Sequence, residues 1–500
     1  MLLKELAASV KDAKIVCGKT NLQDSENTEV LGLSIDSRHI KTGDLFIALA
    51  GGKTDSHAFV WDAAEAGAAA IVVEKELEIS IPQIVVSDSR SAMSLMAAKY
   101  YGEPAKKLKI IGITGTNGKT TTSYMLTSIL KRAGKRVGTI GTLGIFYAKK
   151  QIAPELTTPD PVFLQATLAD MLKCGIEYVI MEVSAHAIYY KKDEGIRYAA
   201  CIFTNCTQDH LDFFGTMKNY RRAKKQLFFS DRCPIAVLNG DDQTGREIGA
   251  ERAKERGMAQ TTTLYYGLES PADVFAVLTA EGIFGSEFML NISDNLCRVS
   301  LSLTGRHNVY NAMAAAGAAY ALGLPTAAIA GGLKELKRVS GRLERITGAK
   351  DVDIFVDFAH TPDGLEKSLG ALKEHCKGRL ICLFGCGGNR DRTKRPLMGE
   401  AVAKKADFSV LTSDNPRWED PVDILSEIEA GYRRFSTAYV LVPDRKKAIF
   451  YAVSMLKKGD VLLVAGKGGE EYQEIMGIKY AYNDNAVIEE ALKMRDNPSH

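Results

Sequence analysis

An α/β fold in three domains is what this sequence predicts, with a central P-loop-type parallel sheet domain and a Rossmann-like C-terminal domain. Three observations carry it. The chain has 500 residues, more than one hydrophobic core can organise. The stretch KIIGITGTNGKTTTSYMLTSILKRAG, from Lys109, reads as an apolar strand, a Gly-rich loop and an amphipathic helix, the order that opens a parallel α/β domain. The last third repeats one grammar, an apolar strand, a polar loop and a helix, in DIFVDFAHTPDG, LICLFGCGGNRD, FSVLTSDNPRWED and VLLVAGKGGEE.

The boundaries follow from the breakers. Residues 1–105 mix short strands and helices and end in the helical MSLMAAKYYG followed by EPAKK, a hinge. Residues 106–338 form the second domain, closing near the Ala-rich helix VYNAMAAAGAAYALG, and 339–500 the third. In open α/β sheets ligands sit outside the carboxyl ends of the strands, so the four loops of the last third should gather at one edge. That would bring His360, Arg390, Arg417 and Glu470 together.

Bulk composition narrows the function classes. Hydrophobic residues make up 46% and charged residues 25%, ordinary for a soluble globular protein, and a net charge of +3 is too small to imply a nucleic-acid partner. No apolar run reaches a membrane span, and the opening MLLKELAASVKDAKIV carries charges throughout, unlike a signal peptide. The nine cysteines are scattered and contain no CxxC pair; Cys382 and Cys386 are close in sequence but a weak metal signal. Reduced thiols in a cytoplasm are the expectation.

The phosphate loop is the strongest chemical signal. GITGTNGKTTT departs from the strict GxxxxGK[ST] pattern by one residue, yet its physics survives. Gly115 and Gly118 let backbone N–H groups turn onto phosphate oxygens, Lys119 can reach the terminal phosphates, and Thr120 can ligate Mg²⁺. A tight glycine turn alone would not require Lys-Thr at the helix start.

A lysine interrupts an apolar stripe. In NYRRAKKQLFF, Tyr220, Lys224, Leu227 and Phe228 share one helical face, while Arg221, Arg222 and Lys225 lie off it. An ammonium there must snorkel, find an acid or lose its proton, and snorkelling is the commonest outcome. Glu182 in YVIMEVSAH and His210 in TQDHLDFFG each follow an apolar strand, where a carboxylate and an imidazole near a phosphate loop can hold a second Mg²⁺ or simply be satisfied structural groups. In SDNPRWEDP, Asn-Pro breaks regular structure and holds out Arg417, a fork for a carboxylate or phosphate, or else the partner of a surface pair with Glu419.

Together these stretches resemble the Mur ligases, ATP-dependent amide-forming enzymes of peptidoglycan precursor synthesis. The resemblance rests on TGTNGKTT, EVSAH, TQDHLDFFG, AKKQLF, GRHNVYNAMAA, GRLE, DFAHTPDGLE, GCGGNRDRTKRPLMG, SDNPR and AGKGGEEYQ, in one order over nearly the whole chain. DSRHIKTGDLFIAL is similar to the UDP-binding start of the branch that adds the third peptide residue to UDP-N-acetylmuramoyl-L-alanyl-D-glutamate. That branch uses meso-diaminopimelate or L-lysine, and Asp-Asn-Pro-Arg resembles the diaminopimelate users.

The resemblance implies roles for named residues. Gly115, Thr116, Asn117, Gly118, Lys119, Thr120 and Thr121 would hold the ATP phosphates, with Asn308 and Asn311 on the adenine side and Arg342 and Asp357 reaching ATP from the third domain. Thr120, Glu182, His210 and a carbamylated Lys224 would organise Mg²⁺, with Lys119, Glu182, His210 and Lys224 as the catalytic set. Ser37 and Gly52, Lys53 and Thr54 would hold UDP, and Thr157, Thr158, Ser184 and Lys192 the muramoyl dipeptide. Arg390, Asp414, Asn415, Pro416, Arg417, Gly466 and Glu470 would bind diaminopimelate. The chain departs from the family at Ala185, usually Ser, at Tyr190 and Lys192, aligned with Gln and Arg, at Phe358, usually Tyr, and at Gly469, usually His. Rival expectations are a folylpolyglutamate synthetase, against which DSRHIKTGDLFIAL and SDNPR argue, a P-loop NTPase coupling hydrolysis to motion, and a catalytically silent UDP-sugar-binding module.

Overall fold

A computed structural model of the chain describes residues 1–19, 21–51, 55–153, 155–229, 232–255 and 261–496. They form two compact units. One comprises Met1–Gly112, Arg136–Ala199 and Ser230–Cys233; the other comprises Ile113–Lys135, Ala200–Phe229 and Pro234–His500.

The first unit opens with a five-stranded sheet in the order Lys14–Val16, Gln83–Val85, Ala70–Val73, Asp44–Ile47, Gly32–Ser34. Its pairs are parallel except the outermost, Lys14–Val16 against Gln83–Val85. Asp44–Ile47 and Ala70–Val73 are buried along their whole length, as strands covered on both faces should be. The same unit holds Tyr178–Glu182 parallel to Val137–Gly141, and the antiparallel turnback Gly144–Tyr147 and Lys150–Ile152.

The strand Tyr198–Phe203, most of which belongs to the second unit, leads a parallel run there through Ile235–Asn239, Thr262–Gly267 and Val274–Gly282. The expected parallel sheet is therefore only partly parallel. Val274–Gly282, Gly285–Ile292 and Asn295–Leu301 continue it as an antiparallel meander, whose alternating burial in Gly285–Ile292 is that of a sheet wetted on one face. Its sequence carries the period of two rather than a strand–helix alternation.

The last third folds as its repeated grammar predicts. Its six strands run in the order Glu344–Arg345, Asp353–Asp357, Val461–Ala465, Leu380–Phe384, Phe408–Leu411, Tyr439–Leu441. All pairs are parallel except the short outer Glu344–Arg345. Two apolar clusters, one around Phe355, Leu369, Phe384 and Ile428 and one around Ile354, Leu383, Ile449 and Ile488, cover the two faces. Because the strands are parallel, the loops after Asp357, Phe384, Leu411 and Ala465 leave from one edge.

Candidate active site

Gly115 and Gly118 give the phosphate loop its shape. At φ +86°, Gly118 occupies left-handed space, and a Cβ there would stand 2.4 Å from Asn311 Oδ1. At Gly115 a Cβ would stand 1.8 Å from Thr204 Oγ1. The helix Lys119–Arg132 starts directly after the loop, so its unpaired N–H groups face the phosphate position. Lys119 Nζ donates to Gly115 O (2.8 Å) and Thr116 O (2.9 Å), which keeps the ammonium over the loop. Thr121 is buried. Arg342 Nη2 donates to Thr120 Oγ1 (3.1 Å), with its guanidinium 4.4 Å above the Phe358 ring. Asn311 Nδ2 donates to Asn308 Oδ1 (3.1 Å), and Asn308 Nδ2 to Thr304 O (2.8 Å), so the two amides form a fixed chain beside the loop.

Asp357 acts as a strut rather than a free carboxylate. It accepts from Leu343 N (2.6 Å), Ala359 N (2.9 Å) and Ser368 Oγ (3.1 Å), pinning the GRLE turn that carries Arg342. Burial raises its pKa, opposed by Arg342 and these donors. Asp363, which no sequence pattern singles out, accepts from Asn117 Nδ2 (2.9 Å).

Lys224 does not snorkel. On the helix Met217–Lys225 it is 1% exposed, with Tyr220, Leu227 and Phe228 buried on the same stripe. Its Nζ stands 4.3 Å from the Tyr220 ring centroid, and among the described residues no carboxylate lies within ion-pair distance. Burial, then the charge of Lys119, lowers its pKa to about 7. A substantial share of this amine is neutral at physiological pH.

His210 takes left-handed φ, +56°, at the start of the short helix Leu211–Phe214, where Asp209 Oδ1 accepts its backbone N–H (3.0 Å). Asp209 is the hub of this loop. Lys394 Nζ donates to its Oδ1 (3.1 Å), and His360 Nε2 lies 3.6 Å and His210 Nε2 3.4 Å from its Oδ2. Burial opposes the Asp209 carboxylate, but Lys394 with the two imidazoles outweighs it and holds the carboxyl well below its usual range. Sequence reasoning placed His360 at the sheet edge but missed both Asp209 and Lys394.

In the first unit, Glu182 ends its strand 2% exposed. It accepts from Thr142 N (3.1 Å) and Thr142 Oγ1 (2.9 Å), and Thr157 Oγ1 lies 3.2 Å from that hydroxyl. Thr158 Oγ1 donates to Glu182 O (2.9 Å) and accepts from Ser184 N (3.0 Å), and Ser184 Oγ caps Ala185–Tyr189 by accepting from Ala187 N (3.1 Å). Thr157, Thr158, Glu182 and Ser184 thus form one cluster. Lys192 pairs with Asp160 at 2.5 Å, and Tyr190 lies 4.3 Å beneath Arg90. Asp36, rather than Ser37, caps the Ser37–His39 turn. Gly52, Lys53 and Thr54 lie outside the described residues.

At the third-domain sheet edge, the alternative Arg417–Glu419 surface pair does not form. Glu419 is bound by the fully buried Arg395, through Nη1 and Nη2, each at 2.9 Å. Arg417 Nε instead donates to Glu474 Oε2 (2.9 Å), and its Nη1 to Gly388 O (2.8 Å). Arg417 takes left-handed φ, +54°, and is held there by the hairpin Tyr472–Ile475/Ile478–Ala481: its N–H donates to Glu474 O (3.1 Å) and its carbonyl accepts from Met476 N (2.7 Å). Arg390 is close; burial, then the charge of Arg417, lowers its pKa. Two guanidiniums therefore share one stretch of surface.

Asp414, Asn415 and Pro416 are buried beside them. Asn415 Nδ2 donates to Glu470 Oε2 (2.9 Å), and Lys467, fully buried, donates to both Asn415 Oδ1 and Glu470 Oε2 (2.9 Å each). Gly466 packs so tightly on Asp414 that a Cβ would lie 2.4 Å from Asp414 Oδ2. Cys382 and Cys386 are buried thiols, Cys386 pushed up by burial to about 12, which leaves them inert.

The donors at hand suit a hard divalent cation. In the first unit, Glu182 is kept in place by two Thr142 donors and offers carboxylate oxygen, the ligand type such a cation takes. Among the described residues no three His, Cys, Asp or Glu side chains gather into a metal cluster. The expected set is different in kind, since it relies on Thr120 and a modified lysine. Among the described residues no helix is long and apolar enough to cross a membrane.

Comparison with known proteins covers nearly all of the chain. The Mur ligase family catalytic domain matches residues 29–107, the Mur ligase middle domain 113–319, and the Mur ligase glutamate ligase domain 341–468. The chain is 41% identical to a UDP-N-acetylmuramoyl-L-alanyl-D-glutamate--2,6-diaminopimelate ligase of Geobacillus thermodenitrificans, over 94% of this chain and 96% of that protein. It is 40% identical to the like-named ligase of Clostridium botulinum, over 93% and 95%. A solved structure of a UDP-N-acetylmuramoyl-L-alanyl-D-glutamate--2,6-diaminopimelate ligase matches with TM-score 0.67 and 32% identity, covering 94% of this chain and 96% of that one. MurF ligase from Thermotoga maritima, in complex with ADP, shares the fold at 22% identity, with TM-score 0.61 over 94% and 97% of the two chains. With the phosphate loop, the buried lysine and the paired guanidiniums in one order along the chain, this likeness establishes it as a member of the Mur ligase family.

Proposed function

We propose that the chain is a cytoplasmic ligase that adds meso-diaminopimelate to the D-glutamate γ-carboxylate of UDP-N-acetylmuramoyl-L-alanyl-D-glutamate at the expense of ATP, in peptidoglycan precursor synthesis. The observation that carries the amino-acid choice is the pair Arg390 and Arg417, which offers a distal carboxylate two guanidiniums at the edge where the third-domain loops meet. The naming of relatives about 40% identical over almost the full chain agrees with it.

A carboxylate and an amine do not condense in water. Transfer of the ATP γ-phosphoryl group to the D-glutamate γ-carboxylate makes an acyl phosphate. The diaminopimelate amine then attacks the acyl carbon, the tetrahedral intermediate collapses, and inorganic phosphate leaves while the amine loses its proton. Lys119 and the N-terminus of the helix Lys119–Arg132 draw negative charge away from two anions that would otherwise repel. Arg342, fixed by Thr120 and Phe358, adds a third positive group at the loop. Thr120, Glu182, His210 and carbamylated Lys224 would hold Mg²⁺, which supplies charge neutralisation on the phosphates. Thr157, Thr158, Ser184 and Lys192 would seat the dipeptide, and Ser37 the UDP portion. The division of labour at about residues 105 and 338 belongs to the same reading.

Phosphate release tests it. Release should require the UDP-linked dipeptide, ATP and meso-diaminopimelate together. A motor-type NTPase would release phosphate without the dipeptide, and release with L-lysine alone would reassign the amino acid.

For the first domain, Ser37→Ala should raise KM for the UDP-linked dipeptide about tenfold, the scale of one lost hydrogen bond to a charged group, and leave KM for ATP unchanged. This substitution is cleaner than deleting residues 1–105, because Asp88 on that segment pairs with Lys191 at 2.7 Å. Unchanged dipeptide KM would remove Ser37 from the UDP site.

A further inference from the structure

We infer that Glu474 is a specificity-determining residue that sets how far the amino-acid site tolerates a distal group with no carboxylate. The inference rests on the proposed function. Glu474 sits on the hairpin Tyr472–Ile475/Ile478–Ala481. Its backbone is fixed from both sides of the site: Glu474 N donates to Asn415 Oδ1 (2.9 Å), and Glu474 O accepts from Arg417 N (3.1 Å). Its carboxylate is fixed too, by Arg417 Nε at 2.9 Å. Glu474 is thus a built part of the pocket wall, with side chains of Arg417 and Glu474 only 16% and 23% exposed.

The charges around the distal position can be taken in turn. Lys467 and Glu470 form one ion pair at 2.9 Å. Arg390 and Arg417 are two cations, and Glu474 is the anion paired to one of them. The far end of meso-diaminopimelate carries an ammonium and a carboxylate and is neutral as a whole. The far end of lysine carries only an ammonium. An anion at Glu474 therefore stabilises bound lysine more than bound diaminopimelate, and it spares Arg417 from standing unpaired when no distal carboxylate arrives. Glu474 softens the very discrimination that Arg417 supplies.

Glu474→Gln keeps the size and one acceptor oxygen while removing the charge. The ratio of kcat/KM for meso-diaminopimelate to that for L-lysine should rise about tenfold, the scale of one unit charge acting over a few ångströms in a partly solvated site. Glu474→Ala should move the ratio the same way. The rise should shrink at high ionic strength, which a purely structural role would not produce. KM for ATP should stay at its wild-type value. A ratio that is unchanged overturns the inference. So does one that falls because diaminopimelate use collapses, which would make Glu474 a support for Arg417 instead. A wild-type protein that does not use meso-diaminopimelate at all overturns both this inference and the proposed function, and that failure is seen before any variant is made.

Discussion

Lys224→Ala is expected to abolish most turnover, by about 10²–10³-fold, while ATP still binds with wild-type affinity. The lysine is buried, with the Tyr220 ring of its own stripe 4.3 Å from its nitrogen, and among the described residues no carboxylate lies within ion-pair distance. Burial, reinforced by Lys119, brings its pKa to about 7. Only a neutral amine can attack CO₂: the nitrogen lone pair forms the N–C bond, one proton leaves, and a carbamate anion remains. The sign follows directly. Below pH 7 the protonated form dominates and the reaction is suppressed; above it the neutral fraction grows. Protein depleted of CO₂ should regain activity on adding bicarbonate, faster at pH 8 than at pH 6, and ¹³C-bicarbonate should yield a carbamate resonance that Lys224→Ala lacks. Short carboxylates should partly restore the alanine variant. A nucleotide complex prepared with bicarbonate that shows a bare ammonium at Lys224 would sink the carbamate reading, as would wild-type turnover by the alanine variant.

What could be read from the sequence was whatever local pattern determines. The strand–loop–helix grammar of the last third is local, and its four loops do leave one edge of a parallel sheet. The phosphate loop was legible because Gly115 and Gly118 must be glycines where Thr204 and Asn311 approach them. The misplaced Lys224 was visible as a break in an apolar stripe, but whether it snorkelled was not, since that depends on what covers the helix. Partners from distant segments were the blind spot. Asp209 meets Lys394, 185 positions away, and Asn117 meets Asp363, 246 positions away. The alternative partner that sequence proximity offers Arg417, Glu419, is held by Arg395, and a hairpin residue, Glu474, reaches Arg417. The antiparallel meander after Val274 was missed for another reason: a strand-rich stretch following a parallel start reads as more of the same until its pairing is seen.

Arg417→Ala should cut kcat/KM for meso-diaminopimelate by roughly 10- to 150-fold, the equivalent of about 1.5–3 kcal/mol for a hydrogen bond to a charged group. Use of L-lysine should change little, so the preference between the two should largely vanish. Both amino acids share the attacking amine and its neighbouring carboxylate; they differ at the far end, which the proposed function gives to Arg417. The guanidinium is prepared for this. Gly388 O holds Nη1, and the hairpin backbone holds Arg417 itself through Glu474 O and Met476 N, so the fork stands in place before a carboxylate arrives and little rotamer freedom is lost on binding. Arg390 alone cannot replace it, since burial already works against its charge. An unpaired buried guanidinium could in principle reject lysine by about 10⁴-fold. The Glu474 pairing lowers that ceiling, because Arg417 keeps an internal partner whichever amino acid binds. An exposed ion pair would have predicted almost no change on mutation, about 1 kcal/mol or less, but Arg417 is 16% exposed and its partner belongs to the pocket wall. Steady-state kinetics with both amino acids, in wild type and Arg417→Ala, decide the matter. A wild-type enzyme that already prefers L-lysine, or a variant that retains its full preference for meso-diaminopimelate, would take the distal carboxylate away from Arg417.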